Sequence, residues 1–208
     1  MVYRRHVEIE GILNGMVMKW FPRYNYILAS KSPRRQQLLQ SLGIEFEVRV
    51  KEVNEIFPPQ LSNYDVPVFL AELKSHPFIG SLGKKDLLIT ADTIVCLGDE
   101  ILGKPADEKE ARLMLQKLSG NDHEVISGVC LTTSKKKSSF YAVTDVRFKT
   151  LTNREIDFYI KHFKPFDKAG AYGIQEWIGA IGITQIKGSF YNVMGLPIQK
   201  LYEEIQKF

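Results

Sequence analysis

The chain has 208 residues, 44% hydrophobic and 25% charged, the balance of a soluble globular protein with one sizeable core in one or two lobes. A net charge of +4 suits an anionic ligand but is too small to argue for a nucleic-acid partner. No apolar run approaches the roughly 20 residues of a membrane helix. The two cysteines, Cys96 and Cys130, sit in apolar strand-like runs without disulfide-framework or zinc spacing, which predicts buried thiols in a reducing compartment.

Residues 1–23 carry the weakest pattern. Acidic residues in Val7-Glu8-Ile9-Glu10 would interrupt the apolar part of a secretory signal, so none is expected. The segment reads equally as an ordered extension, a mobile tail or an upstream misread start. From Tyr24 the signals sharpen. A strand over 24–29 leads through a polar turn into a helix over 33–42. Ser32 is placed to cap that helix, Pro33 to occupy its first turn and Gly43 to end it. Phe46 to Val50 alternates as a strand. Residues 51–62 read as loop, and a helix from about Val66 to His76 is closed by Pro77.

Leu87 to Ala91 is a buried strand bounded by Asp86 and Asp92, continued by Ile94 to Leu97. Gly98-Asp99-Glu100 predicts a hairpin turn into Ile101-Leu102. A helix from Ala106-Asp107 to Leu118 follows. Two long strands, His123 to Thr132 and Ser139 to Phe148, are joined by the turn from Ser134 to Lys137. Thr152 or Asn153 caps a helix ending at Phe163. After a Gly- and Ala-rich stretch over 167–183 come a last strand, Gly182 to Lys187, and an amphipathic helix over Asn192 to Gln206. The alternation of strands and helices followed by an antiparallel pair predicts an α/β or α+β fold with a mixed sheet.

Several stretches could carry chemistry. The turn Ala29-Ser-Lys-Ser-Pro-Arg-Arg35 sets hydroxyls and guanidiniums at a helix N-terminus, a combination suited to phosphate and equally found on capped surface helices. Asp92, after an apolar strand, could ligate Mg²⁺, activate a water or simply cap a turn. Lys104 in Gly103-Lys104-Pro105 offers a point charge for phosphate, Lys74 a weaker one. In the stretch from Asp167 to Gln175 small residues permit close approach to a ligand, and the Gln175 carboxamide pairs a donor with an acceptor, as reading a base edge requires. His123 is expected to be packed, and no serine or cysteine triad has support.

Ser30-Lys-Ser-Pro-Arg-Arg35, Ala91-Asp92-Thr93, Gly103-Lys104-Pro105, Asp167-Lys-Ala-Gly-Ala-Tyr-Gly-Ile-Gln175 and Tyr191-Asn-Val-Met-Gly-Leu-Pro197 occur in the order seen in the Maf family of nucleoside triphosphate pyrophosphatases. The resemblance spans residues 24–208 and leaves 1–23 as an N-terminal extension. It implies an elongated mixed sheet flanked by helices, in two lobes around a nucleotide cleft, as in the inosine-triphosphate pyrophosphatases. It also implies metal-assisted hydrolysis to a nucleoside monophosphate and pyrophosphate, with Mg²⁺ the expected ion and Mn²⁺ the alternative. In that pattern Asp92 is the proton acceptor and a metal ligand, joined by Glu55. Ser30, Arg34, Arg35, Lys74 and Lys104 hold the phosphates. Arg34, Thr93 and Gln175 resemble the trio of the dTTP/UTP-hydrolysing subtype. Ser127-Gly128 stands where Thr-Gly is usual, and a leucine precedes Lys74 where a charged residue is common. The implied setting is cytoplasmic, with a nucleoside triphosphate as partner, no nucleic acid or membrane, and a homodimer as the expected assembly. A non-hydrolysing nucleotide-binding regulator of cell division is the alternative class.

Overall fold

A computed structural model describes residues 20–208. Most of the expected N-terminal extension, residues 1–19, lies outside the described residues. One seven-stranded sheet organises the rest, in the order β2-β1-β3-β5-β6-β7, with β4 paired to β3 off that path. The strands are β1 (Asn25–Leu28), β2 (Phe46–Val48), β3 (Asp86–Leu97), β4 (Glu100–Leu102), β5 (Asp122–Thr132), β6 (Lys137–Phe148) and β7 (Ile183–Lys187). β1 pairs parallel with β2 and β3, while β4 to β7 join antiparallel, so the sheet is mixed as expected.

The helices are α1 (Pro33–Ser41), α2 (Asp65–Ser75), α3 (Glu108–Leu118), α4 (Asn153–Phe163), α5 (Trp177–Gly182), α6 (Phe190–Met194) and α7 (Ile198–Ile205). Their starts follow the capping chemistry in the sequence. Ser32 Oγ accepts from Arg35 N, Asp107 from Glu110 N, and Thr152 with Glu155 forms a reciprocal capping box.

β3 runs the length of the molecule, and its alternating side chains serve different cores. On one face Leu87, Ile89 and Ala91 pack with Leu39 of α1 and Leu201 of α7. Farther along the same face Val95 packs with Leu115 of α3 and Tyr159 of α4. Thr93 falls at the seam between these two lobes. On the opposite face α2 sets Val66 and Leu70 against Ile94, Cys96 and Ile126. Gly128 pairs with Asp92 across the strands, and a Cβ there would lie 2.2 Å from the Pro67 carbonyl carbon. Only glycine lets α2 approach so closely, and that approach brings Lys74 over Asp92. Both cysteines are buried and unbridged, and no helix of the described residues is long and apolar enough to cross a membrane.

Three expectations need correction. Asp92-Thr93 does not end a strand: β3 continues without a break from Asp86 to Leu97. The Gly- and Ala-rich stretch contains an unforeseen short helix, α5. The final helix expected over Asn192 to Gln206 is two helices, α6 and α7. Gly195 adopts φ 119°, which ends α6, and Pro197 stands just before α7.

Candidate active site

A gap in one edge of β3 creates the site. β1 pairs with β3 only as far as Leu28–Ile89, and β4 begins pairing at Val95–Leu102. Between them Thr90 to Ile94 keep β5 on one side and have no strand on the other. The α1 turn and the Gly103-Lys104-Pro105 turn close in from either end of the gap. Ala29 N donates to Ile89 O at 3.0 Å, and Gly170 N donates to Gly103 O at 3.0 Å.

Two adjoining cavities open there. The smaller, about 120 Å³, is lined by Asp92, Thr93, Tyr172 and Gln175. The larger, about 500 Å³, is lined by Ser30 and Glu55. Arg34, Arg35, Lys74 and Lys104 border both. The fold therefore brings together every site residue singled out in the sequence, from positions 30 to 175.

Their engagements differ. Lys74 Nζ lies 2.6 Å from Asp92 Oδ1 and 3.0 Å from Glu55 Oε2, bridging the two carboxylates. Asp92 is buried, and Glu55 is about half exposed. Arg34 Nη1 pairs with Asp167 Oδ2 at 2.7 Å, across the cleft. Arg35 already makes three bonds: Nε to Gly195 O at 2.8 Å, Nη1 to Ala91 O at 2.9 Å and Nη2 to Thr93 Oγ1 at 3.1 Å. Burial lowers its basicity, Asp92 opposing that effect. Two of its five N–H groups stay free for a ligand. Arg35 thus braces the bare edge of β3 against the end of α6.

Thr93 Oγ1 belongs to the same brace, 2.8 Å from Ser127 Oγ, so the serine in place of the usual threonine keeps the hydroxyl contact. Ser30 Oγ accepts from Ser32 N at 3.2 Å and shapes the turn. Exposed Lys104 has no ion-pair partner among the described residues, and the exposed Gln175 carboxamide has no side-chain hydrogen bond among them.

A second set of residues frames the site, and two of them, Tyr159 and Glu176, were not foreseen from the sequence. Lys168, with only 9% of its side chain exposed, contacts Asp167 Oδ1 at 2.7 Å and Glu176 Oε1 at 3.1 Å. Burial raises the Asp167 carboxyl, but Lys168 and Arg34 outweigh it and hold the group at about 2. Tyr159 donates its hydroxyl to Glu176 Oε2 and accepts Gly173 N at 3.0 Å. His123 is packed, as expected, with Nε2 2.7 Å from the Tyr172 hydroxyl and its ring against Phe148. Burial pulls its imidazole down to about 4, so it is neutral at pH 7. Asp167, Lys168, Tyr172 and Gly173 lie in the stretch singled out above, but the partners that hold them, His123, Tyr159 and Glu176, are too far off in sequence for any local pattern to show.

A family model described as Maf-like protein matches residues 25–208. The dTTP/UTP pyrophosphatase of Phocaeicola vulgatus is 51% identical over 186 residues, 89% of this chain and 96% of that protein. The protein of the same name from Flavobacterium psychrophilum is 50% identical over 187 residues, 90% and 96% of the two chains. Among solved structures, the Staphylococcus aureus Ham1 protein aligns with a TM-score of 0.48 at 15% identity, covering 88% of this chain and 98% of that one. With half its residues shared along nearly the full length of such relatives, and the family model matched from the first strand to the C-terminus, the chain belongs to the Maf family.

Proposed function

We propose that the protein hydrolyses dTTP and UTP to the nucleoside monophosphate and pyrophosphate. One observation carries this reading: an unengaged carboxamide, Gln175, shares a cavity with an acidic residue set among cations, Asp92. That cavity, about 120 Å³, is close to the roughly 150 Å³ that accepts a single benzene ring, which suits a pyrimidine. The names carried by the relatives agree with it.

In this mechanism Asp92 takes a proton from the attacking water. The water oxygen bonds the α-phosphorus, and the bond to the α–β bridging oxygen breaks, so pyrophosphate leaves with the electron pair. Lys74 fixes the Asp92 carboxylate. Arg34, Lys104, the free N–H groups of Arg35 and the Ser30 hydroxyl hold phosphate oxygens in the larger cavity. Thr93 acts on specificity by positioning Arg35.

Among the described residues no group of three or more His, Cys, Asp or Glu side chains could hold a metal ion. Two carboxylates, Asp92 and Glu55, fit a Mg²⁺ or Mn²⁺ that arrives on the triphosphate, since Mg²⁺ takes one or two carboxylates and fills its shell with phosphate oxygens and water. When bound, the ion neutralises phosphate charge. A cytoplasmic location, a homodimer, a single catalytic domain over residues 24–208 and the absence of a nucleic-acid partner complete the proposal.

The test is to incubate the protein with each common triphosphate and Mg²⁺, and to identify both products. Monophosphate and pyrophosphate from dTTP and UTP, halted by a chelator, is the expected outcome. Diphosphate and orthophosphate, or binding without turnover, would overturn it.

A further inference from the structure

Gln175 sits in a tight turn whose ends are both held by a single phenol. Glu176 N donates to Gly173 O at 3.0 Å, closing Gly173-Ile174-Gln175-Glu176 as a β-turn. The fully buried Tyr159 hydroxyl reaches up from α4 and grips that turn twice. Its oxygen accepts Gly173 N, and its hydrogen goes to the Glu176 carboxylate. The carboxylate is held again by Lys168, whose other contact is Asp167, the partner of Arg34. A continuous chain of hydrogen bonds and ion pairs therefore runs from the candidate base-reading turn to a candidate phosphate arginine. It leaves the Gln175 side chain itself unengaged.

We infer that Tyr159 is the positioning residue for base recognition: it fixes the turn so that the Gln175 carboxamide is presented in one orientation, without touching the nucleotide itself. This rests on the proposal that Gln175 reads the base. The supporting physics is that discrimination by hydrogen bonding requires the reading group to be preorganised, since a mobile amide could turn to match either a uracil edge or a cytosine edge. Burial also keeps the phenol protonated well beyond its ordinary range, so the double grip holds throughout the working pH. Glu176 cannot supply the grip alone, because its backbone caps α5 without any side-chain capping bond.

Tyr159→Phe removes the hydroxyl and keeps the ring that stacks on Phe163. The experiment compares kcat and KM for dTTP, UTP and CTP in wild type, Tyr159→Phe, Gln175→Ala and the double variant. The expected result is a fall in the dTTP-to-CTP ratio of kcat/KM by roughly tenfold in Tyr159→Phe, the scale on which small misplacements are felt, with kcat for dTTP changed less than that ratio. In the Gln175→Ala background the same change should leave the ratio where Gln175→Ala put it. If Tyr159→Phe lowers kcat/KM equally for every base, or still alters the ratio when Gln175 is gone, Tyr159 is merely structural and the inference falls while the reading of Gln175 stands. If Gln175→Ala itself leaves the ratio unchanged, both fall. Should Tyr159→Phe not fold, Glu176→Ala removes the outer half of the grip at the partly exposed end, and the same outcomes decide.

Discussion

The two ends of the cleft are built on opposite plans. At the phosphate end the cations are held by carboxylates: Lys74 by Asp92 and Glu55, Arg34 by Asp167. Arg35 is held instead by the Gly195 and Ala91 carbonyls and the Thr93 hydroxyl, and Lys104 stands without an ion partner among the described residues. At the base end the groups on offer, Tyr172 and Gln175, carry no charge, and the frame behind them is held by hydrogen bonds from Tyr159 and His123 and by the Lys168–Glu176 pair. A triphosphate entering the first region must exchange partners with carboxylates already in place. A base entering the second meets a preformed frame. The first plan favours charge neutralisation in the transition state, the second discrimination between bases.

The largest effect should come from breaking the charge centre. Asp92→Asn keeps the shape of the side chain and leaves Lys74 its bond to Glu55. It removes the proton acceptor, and hydrolysis of dTTP should fall by roughly 10²–10⁴-fold with the fold retained. Hydrolysis near the wild-type rate would make Asp92 a structural member of its ion pair.

Next in size are the phosphate cations. Arg34→Ala and Lys104→Ala should each cost roughly 2–4 kcal/mol of transition-state stabilisation, the scale of one preorganised donor. Their side effects should differ. Lys104 has no ion partner to lose, so its removal should leave the melting temperature unchanged. Arg34→Ala leaves Asp167 to Lys168 alone and should lower the melting temperature slightly, because the Asp167 end of the pair is more than half exposed and screened by solvent. A large melting-temperature loss with unchanged kinetics would mark either residue as structural instead.

Much of this frame was legible in the sequence, for identifiable reasons. α1 and α3 announce themselves because Ser32-Pro33 and Asp107 carry local capping chemistry. The mid-strand position of Asp92 was hidden. A carboxylate and a hydroxyl after the buried run Leu87 to Ala91 look like a turn, and only the mismatch in length between β3 and its neighbours β1 and β4 leaves room for them within a strand. That mismatch is a matter of long-range pairing. The break at Gly195 was written in Gly195-Leu196-Pro197, but the apolar period continuing into α7 masks it. Lys168 lay in plain view as one more loop lysine. Its burial depends on Asp167 and Glu176 meeting it from both sides.

Mild acid should separate the two ends. An unfolded histidine titrates near 6.5, while burial holds His123 at about 4. Between those values the unfolded chain binds the extra proton, so this contribution is full above about pH 6.5, falls through the interval and levels off below about 4. Its size is about 3 kcal/mol, the gap between 6.5 and about 4 converted at roughly 1.36 kcal/mol per pH unit. Asp167 at the phosphate end carries the depressed carboxyl, so its contribution is present above about pH 4 and is lost only as pH falls toward 2. Denaturant unfolding at pH 7 and pH 4.5 should therefore show a loss that His123→Gln largely abolishes. An equal loss in both proteins would place the sensitivity elsewhere.

The smallest expected effect falls on selectivity and bears most directly on the contrast between the ends. Uracil and thymine present a carbonyl, an N3–H and a second carbonyl. The Gln175 carboxamide can donate to a carbonyl and accept from N3–H together, which a carboxylate cannot do. Gln175→Glu keeps the length of the side chain but substitutes a second acceptor, which faces the base carbonyl with no hydrogen between them. It also places a negative charge next to Glu176, whose own cation is Lys168. The preference for dTTP and UTP over CTP and the purine triphosphates should shrink by roughly 1–2 kcal/mol, near the net worth of one hydrogen bond. The variant should leave the phosphate cations paired as they are, so kcat for dTTP should fall less than the selectivity ratio does. A competition assay with the common triphosphates, run on both proteins, measures this. A uniform loss across all bases would mean that the new charge acts on the triphosphate through Arg34 and Lys104, and that the two ends are electrically one site. An unchanged ratio would remove Gln175 from recognition and leave cavity size as the discriminating feature.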